Sequence, residues 1–263
     1  MLGDKGTAYT PLDVATHWLR FLPPWRTCTA ERLAIRNFML AIPPPRSAIY
    51  RNPYREWIGA QIRADMFGWV CPGRPALAAE LAWRDASISH VGNGIYGEMW
   101  VAAMLAAAVS TNDLTEVINA GLAQIPAHSR LAEAITRVMR MHAGGATFED
   151  FVSDHRSRWN AEMLHHWVHT ISNAEIVAAS LLWGAGDFGR AVCLAVQTGM
   201  DTDCNGATVG SVMGLMLGAS AIPTEWTAPL GGKATFGVVG VDTVPFDTLI
   251  ANTMDALKKV NEQ

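Results

Sequence analysis

Two aspartates, Asp201 and Asp203, stand between glycines in the stretch Gly-Met-Asp-Thr-Asp-Cys-Asn-Gly at positions 199–206. Carboxylate oxygens are the hard ligands that Mg²⁺ and Mn²⁺ prefer. In an irregular turn, two such side chains at i and i+2 can converge on one cation, which a regular helix would not allow. The alternative is that both aspartates only cap and turn the chain ahead of a helix, where aspartate is common. Spacing alone leaves both interpretations open.

An uncharged segment, residues 206–222, follows this acidic turn. Asn205 is a good N-cap for a helix here, whose positive dipole end would lie beside the two carboxylates. Glycines recur at every fourth position, which predicts a stripe without side chains where another backbone could approach closely. The segment is shorter than the roughly 20 residues that span a bilayer, so we expect a buried helix and no membrane partner.

The segment 51–65 mixes charged and aromatic residues with glycine, which is unusual for a plain core element. Its Arg63 could contact a phosphate, or it could pair with Glu56 or Asp65. The residue types leave ligand binding and a structural ion pair both open.

Residues 85–94 form a loop by composition, ahead of a nearly uncharged helix predicted over 95–109. Ser89 and His90 are neighbours in this loop, but adjacent residues rarely hydrogen-bond as nucleophile and base, and no nucleophile-elbow sequence surrounds the serine. A binding loop, in which Gly92 lets ligand and backbone meet, is one interpretation. An ordinary Gly-Asn-Gly turn is the other.

Three histidines, His165, His166 and His169, cluster in a helix predicted over 160–169. Two histidines at i and i+4 can hold zinc. The glutamate that follows the first histidine in zinc proteases is replaced here by His166. We therefore expect surface or packing histidines.

The composition of the chain favours a globular protein and gives no sign of nucleic-acid binding or of secretion. The chain has 263 residues, of which 50% are apolar and 17% charged, enough for a sizeable core. Its net charge of −4 gives no basic footprint, so nucleic acid is not an expected partner. The four cysteines occur singly and no signal peptide is visible, which favours reduced thiols in a cytoplasmic protein.

Helical patterns run through most of the chain. Thr10 and Pro11 are typical of a helix start, and Ser129 begins the clearest amphipathic helix. Alternating strand patterns are nearly absent, so we predict an all-α fold in one domain over residues 1–263. Further helices are predicted over 147–158, 173–184, 187–198 and 246–259.

Together these stretches resemble one family, the ADP-ribosylglycohydrolases. The acidic stretch 199–207, leading into its glycine-rich helix, looks like the family's C-terminal metal motif, Gly-x-Asp-x-Asp-Thr/Cys-x-Ala. Ser89-His90, ahead of an apolar helix, looks like the family's Ser/Thr-His motif. Residues 59–63, Gly-Ala-Gln-Ile-Arg, look like its segment near the ligand.

The resemblance implies an orthogonal helical bundle with two Mg²⁺ ions, or Mn²⁺, in a cleft. Such enzymes hydrolyse the bond between ADP-ribose and an acceptor, often an arginine side chain. It makes Asp201 and Asp203 catalytic metal ligands that orient the ribose hydroxyls and a water through the metal. The substrate-binding residues that it implies are Gly59, Ala60, Gln61, Arg63, Ser89, His90, Gly92 and Asn93.

Two features depart from the family pattern. The family's other metal ligands come from an N-terminal Asp-Asp motif, and the sequence contains no Asp-Asp pair. We therefore expect an N-terminally incomplete domain that binds Mg²⁺ weakly and exposes apolar surface to a partner or a second copy of the chain. Cys204 stands where many members have a metal-binding threonine, and a thiol is a poor Mg²⁺ ligand. Stretches 52–63 and 92–97 are typical of a bacterial branch of the family.

Three functions follow from this resemblance. The first is a metal-dependent hydrolase of ADP-ribose glycosidic bonds. The second is a non-catalytic relative that binds ADP-ribose or is purely structural. The third is a related nucleoside or sugar N-glycoside hydrolase.

Overall fold

The computed structural model describes residues 1–262 and is 67% helical, which confirms the all-α prediction. Its only strands in this range form a short antiparallel hairpin in which Ala234 pairs with Val244. The elements are, in order, α1 (Leu2–Lys5), α2 (Pro11–Phe21), α3 (Thr29–Met39), α4 (Asp65–Trp69), α5 (Pro75–Ala86), α6 (Asn93–Ala108), α7 (Leu114–Leu122), α8 (Arg130–Ala143), α9 (Phe148–Arg158), α10 (Leu164–Trp167), α11 (Thr170–Gly184), α12 (Phe188–Gln197), α13 (Thr202–Leu217), α14 (Thr224–Thr227), β1 (Lys233–Thr235), β2 (Thr243–Pro245) and α15 (Phe246–Asn261).

Helices α6 and α11 form the centre of the bundle. Every residue of α11 is buried, and α6 is buried along most of its length. Helices α4, α5, α7 and α13 pack around α6, while α8, α12 and α13 pack around α11. A helix covered on all sides has no face for charged side chains, which explains the nearly uncharged sequence of both helices. Among the exceptions are Glu98 in α6 and Glu175 in α11, which are both fully buried.

Two of the predicted helix starts are confirmed by their caps. The Thr10 hydroxyl accepts a hydrogen bond from the Asp13 backbone N–H, and the Asp13 carboxylate accepts one from the Thr10 N–H. Ser129 caps α8 by accepting from the Ala132 N–H at 3.2 Å. Each cap satisfies backbone donors that would otherwise have no partner in the first turn.

The predicted close approach along the glycine stripe of α13 is wrong. A Cβ atom on Gly206, Gly210 or Gly214 would meet only side chains, at 3.4–3.9 Å. Helix α12 packs closely along α13, but its valine and phenylalanine side chains lie against Gly206 and Gly210, and Ile222 lies against Gly214. Close approach occurs instead at Gly121, where a Cβ would lie 2.7 Å from the carbonyl oxygen of Trp100.

Two predicted boundaries differ from the structure. The loop predicted from residue 85 begins later, since α5 continues through Asp85. The helix predicted over 160–169 is reduced to the four residues of α10. At the junction between α10 and α11, the Asn173 side chain donates to the carbonyl oxygens of Trp167 and His169, at 2.9 Å each, while the Ile171 N–H donates to the His169 ring. Within residues 1–262, no helix is both long enough and apolar enough to cross a membrane.

Candidate active site

A cleft of about 810 Å³ opens between the start of α3, the segment around Gly59, α10 and the start of α13. Much of its lining is apolar, with the indole rings of Trp18, Trp57 and Trp167 among the lining groups. Its polar side chains include Glu31, Arg63, Asp201 and Asp203. The cleft therefore joins a broad apolar surface to charged groups drawn from distant parts of the chain.

The two aspartates lie at the start of α13. Asp201 is the N-cap residue and is 8% exposed, while Asp203 is exposed within the first helical turn. The prediction of Asn205 as N-cap is wrong, because the helix begins at Thr202 and Asn205 is buried inside its first turn. The predicted irregular turn therefore contains Asp201 but not Asp203.

A single amide holds this helix start in place. The side-chain oxygen of Asn173 accepts from the Asp201 N–H at 3.1 Å and from the Asn205 amide at 2.8 Å. Because Asn173 belongs to the buried helix α11, Asp201 is fixed against the centre of the bundle.

The donor atoms at this helix start suit a hard cation. One ligand atom each from Asp201, Asp203 and Cys204 lies within 4.8 Å of the others, in the one such group found within residues 1–262. The pKa of Asp201 is raised to about 6, first by burial and also by the Asp203 carboxylate, against a lowering by its hydrogen bond with Cys204. Two carboxylates that repel each other in this way would be neutralised by a divalent cation.

Cys204 fits such a cation less well. Burial, followed by the charges of Asp201 and Asp203, raises the pKa of its thiol. A protonated thiol is a hydrogen-bond donor to Asp201 rather than a metal ligand. The fit to a hard cation therefore rests on the two carboxylates.

The other polar wall is built around Arg63. Its guanidinium donates to the Glu31 carboxylate at 2.8 Å, to the Asp85 carboxylate, and to the Ser89 hydroxyl at 2.9 Å. It also lies over the ring of Trp18, 4.9 Å from the centroid. These are not the partners suggested by the sequence.

The two suggested partners of Arg63 are engaged elsewhere. Glu56 accepts from Asn93 and from Arg130. Asp65 is hydrogen-bonded to Ser211. Arg63 therefore forms an ion pair, as one interpretation required, but with Glu31 and Asp85.

Beneath Arg63 lie two fully buried ionisable groups, Glu98 and His90. Burial, and then the charge of Asp85, raises the pKa of Glu98 well above its ordinary value, which favours the neutral carboxyl. Burial, and then the charge of Arg63, lowers the pKa of His90 well below its ordinary value, which favours the neutral imidazole. The wall thus carries one permanent positive charge.

The structure separates the implied substrate-binding residues into three groups. Gly59 and Arg63 line the cleft. Ala60, Gln61, Ser89 and His90 are fully buried behind it. Gly92 and Asn93 surround the Glu56 carboxylate and are not among the lining residues. Direct ligand contact by these last six residues stays a prediction.

Ser89 and His90 form a hydrogen bond that the sequence argument did not expect. The Ser89 hydroxyl lies 2.8 Å from Nδ1 of His90. Both side chains are fully buried, and the Ser89 hydroxyl also accepts a hydrogen bond from Arg63.

Sequence reasoning missed the acidic residues around Arg63: Glu31, Asp85 and Glu98. A signal existed for Glu98, which is the only charged residue in the helix predicted over 95–109. A lone charge in an otherwise uncharged buried helix needs a partner. No spacing pattern links Glu31 or Asp85 to Arg63, because the fold alone brings them together.

The histidine cluster has the packing role that was expected. His165 accepts from the indole N–H of Trp57 at 2.9 Å, and His166 accepts from the Asn160 N–H at 3.1 Å. His169 caps α11 by accepting from the Ile171 N–H at 3.1 Å. One nitrogen of each ring is therefore already engaged by a donor of the protein.

Fold and site together define an all-α protein with a carboxylate-bearing cleft. The sequence profile of the ADP-ribosylglycohydrolase family matches residues 2–256. The chain therefore belongs to the ADP-ribosylglycohydrolase family, a family of glycosidic-bond hydrolases. Searches among curated proteins and among solved structures gave no match.

Proposed function

We propose that this chain is a metal-dependent hydrolase that cleaves the glycosidic bond between ADP-ribose and an acceptor. The observation that carries the proposal is the cleft itself. It joins the Asp201–Asp203 pair to Gly59 and Arg63, and these two pairs come from the separate stretches 199–207 and 59–63, each of which resembles a motif of the family. Its volume of about 810 Å³ is in the range typical of small-molecule sites.

Asp201 and Asp203 would hold the cation, for which Mg²⁺ or Mn²⁺ is the proposed identity because both ligands are carboxylates. When bound, such a cation supplies Lewis acidity and lowers the pKa of a coordinated water. The Cys204 thiol donates a hydrogen bond to Asp201 and so helps to orient the carboxylate. The indole rings of Trp18 and Trp167 offer flat apolar surfaces that suit an adenine base.

A test compares wild type with Asp201→Asn and Asp203→Asn. ADP-ribose is titrated calorimetrically with and without Mg²⁺, and release of ADP-ribose from ADP-ribosylated arginine and from an O-linked ADP-ribose is measured. We expect Mg²⁺-dependent binding and hydrolysis in wild type, and a loss of at least about 100-fold in each variant. Asp255→Asn is the matched control, since this carboxylate is exposed and pairs with Lys258 outside the cleft.

A second candidate is a non-catalytic relative that binds ADP-ribose. It is favoured by the small donor set, because only two carboxylates and a protonated thiol are close together within residues 1–262. Binding of ADP-ribose by a folded wild type that releases none from either substrate would support this candidate and refute the hydrolase.

A further inference from the structure

The charge of the chain is unevenly distributed. Residues 26–55 contain six arginines and no lysine, and Glu31 is their only acidic residue, whereas the whole chain has a net charge of −4. The Glu31 carboxylate faces inward, where it accepts a hydrogen bond from Arg63. We call the six arginines the arginine surface: Arg26, Arg32, Arg36, Arg46, Arg51 and Arg55. Five of them are exposed and Arg36 is half-buried.

Helix α3 and the turn that follows it carry the middle of this surface. Arg32 and Arg36 lie four residues apart, on one face of α3. Arg36 donates to the Tyr50 carbonyl oxygen at 3.1 Å, and the Tyr50 N–H donates to the Arg46 carbonyl oxygen at 3.0 Å. The Arg51 guanidinium lies 5.5 Å from the centroid of the Tyr50 ring. These contacts bring arginines from the helix and from the turn onto one surface.

The two remaining arginines continue the surface at its ends. Arg32 donates to the carbonyl oxygen of Thr27 at 2.7 Å, and Thr27 directly follows Arg26. Arg55 donates to the Asn52 carbonyl oxygen at 3.0 Å, in the residue after Arg51. Arg26 also lines the cleft, so the arginine surface begins beside the cleft and leads away from it.

The positive charges of this surface are not balanced by acids of the chain. Within residues 1–262, the ion pairs of arginine belong to other residues: Arg63, Arg84, Arg130, Arg137 and Arg158. The arginine surface donates instead to neutral acceptors, such as backbone carbonyl oxygens and the Asn37 side chain. Like charges that share a surface repel one another and destabilise the folded chain. A partner of opposite charge therefore explains this surface better than stability does.

Buried polar side chains hold the irregular segment after α3 in place. The Asn37 amide donates to the carbonyl oxygens of Ser47 and Tyr50, at 2.7 Å and 2.9 Å. The Asn52 amide donates to two further carbonyl oxygens, at 3.0 Å and 2.8 Å. The side chains of Asn37, Ser47 and Asn52 are all buried. A surface that is ordered in advance loses less conformational entropy when it binds a partner.

Large apolar side chains are exposed among the arginines. They are Trp25 at 77%, Met39 at 70%, Leu40 at 59% and Ile49 at 58%. Arginine, tryptophan and methionine are enriched at protein–protein interfaces, and lysine is depleted there. The composition of this surface therefore matches a protein partner, which can cover the apolar side chains while its carboxylates pair with the guanidinium groups.

The rest of the chain favours a compact partner over an extended polyanion. Because residues 26–55 are strongly basic and the whole chain has a net charge of −4, the remainder of the chain is acidic. A nucleic acid or an anionic bilayer extends beyond the arginine surface and meets this acidic remainder, which repels it. An acidic patch on a folded protein meets the arginine surface alone.

We propose that the arginine surface docks a protein that presents acidic side chains around an apolar centre. The carboxylates of the partner pair with the guanidinium groups, and its apolar centre covers Met39 and Leu40. Apart from Arg26, the arginines lie outside the cleft, so the proposal is independent of the hydrolase function.

The experiment measures the fluorescence anisotropy of a short labelled peptide in which glutamates surround a Trp-Leu centre. The same peptide with glutamines in place of the glutamates serves as its neutral counterpart. We expect wild type to bind the glutamate peptide with a Kd on the order of 10–100 µM at about 50 mM NaCl, and at least about 10-fold more weakly at about 300 mM. The glutamine peptide should bind at least about 10-fold more weakly at the lower salt concentration.

The variants separate charge from apolar contact. Arg46→Glu/Arg51→Glu should weaken binding of the glutamate peptide by at least about 10-fold, and Arg46→Gln/Arg51→Gln by about 3- to 10-fold. Leu40→Ser should weaken it by about 3- to 10-fold through lost apolar contact. Arg156→Glu/Arg190→Glu is the matched control, because it makes the same charge change at two exposed arginines outside the surface, and it should stay within about 2-fold. All substituted side chains are exposed, so each variant should keep its Tm within about 2 °C of wild type.

Equal weakening in the control variant would overturn the proposal, and so would unchanged binding in Arg46→Glu/Arg51→Glu or in Leu40→Ser. Oligothymidine of the same net charge and vesicles of phosphatidylserine and phosphatidylcholine test the other two occupants. If either binds more tightly than the glutamate peptide and loses this binding in Arg46→Glu/Arg51→Glu, the partner is not a protein. Self-association of wild type in sedimentation, lost in the same variant, would assign the surface to a second copy of the chain instead.

Discussion

Removing the Asn173 side chain should strongly destabilise the protein and disturb the start of α13. This amide is fully buried and joins two parts of the candidate site. Its oxygen accepts from Asp201 and Asn205, and its nitrogen donates to the carbonyls of Trp167 and His169. One side chain of α11 therefore ties the end of α10 to the beginning of α13.

The magnitude follows from the partners that Asn173→Ala would leave behind. The His169 carbonyl keeps the Ser172 hydroxyl as a donor at 2.9 Å. Three other groups, on Asp201, Asn205 and Trp167, lose the bond to Asn173. A buried polar group left unpaired costs about 1–3 kcal/mol, so we expect a loss of about 3–5 kcal/mol once some water enters.

Ser180→Ala is the control on the same helix. The Ser180 hydroxyl is fully buried and has no hydrogen-bond partner, so its removal should be neutral or stabilising by up to about 1 kcal/mol. The assay is urea unfolding of both variants, with Mg²⁺ titration of the folded proteins. Asn173→Ala should also bind Mg²⁺ more weakly, because Asp201 is no longer held. A free energy of unfolding within about 1 kcal/mol of that of Ser180→Ala would refute the reasoning.

Two further predictions concern stability. Burial lowers the pKa of His155 from 6.5 to about 4, so between these values the unfolded chain binds a proton that the folded chain does not. The free energy of unfolding should therefore fall by up to about 3 kcal/mol as the pH falls from 6.5 to 4. In urea unfolding, His155→Gln should show a weaker dependence on pH than wild type. An equal dependence on pH in both proteins would contradict the assignment to His155. Gly121→Ala should cost about 1–3 kcal/mol, because its Cβ would lie 2.7 Å from the Trp100 carbonyl oxygen. Gly210→Ala, with its nearest neighbours at 3.9 Å, should instead gain about 0.5–1 kcal/mol in thermal unfolding, and a reversed order of the two variants would show that the packing is misjudged.

The sequence predicted the helices well where local signals were strong. The Thr10 and Ser129 caps and the uncharged stretch of α6 mark helices that the structure contains. Local signals failed at helix ends that a side chain from another element contacts. The Asn173 oxygen accepts from the Asp201 N–H at the start of α13, and its nitrogen donates to the Trp167 carbonyl at the end of α10. Neither could be read from the residues at those positions.

The sequence could predict that Asp201 and Asp203 lie close together, but it could not predict the ion-pair partners of Arg63. Asp201 and Asp203 are close in sequence, and the family motif contains both. Arg63 was singled out, but its partners Glu31 and Asp85 lie in α3 and α5, with no pattern to connect them. Ion pairs between distant elements follow from packing, which spacing in one sequence does not reveal.

The two walls of the cleft balance their charge in different ways. The wall around Arg63 contains its own positive charge, because the Arg63 guanidinium is held by Glu31, Asp85 and Ser89. On the opposite wall, the weak positive end of α13 and the Cys204 thiol lie beside the Asp201 carboxylate. A cation from solution or a proton would balance the charge of this wall. It follows that removing a bound cation should leave the Arg63 wall assembled, whereas replacing Arg63 by a neutral residue would force its acids to take up protons or to separate.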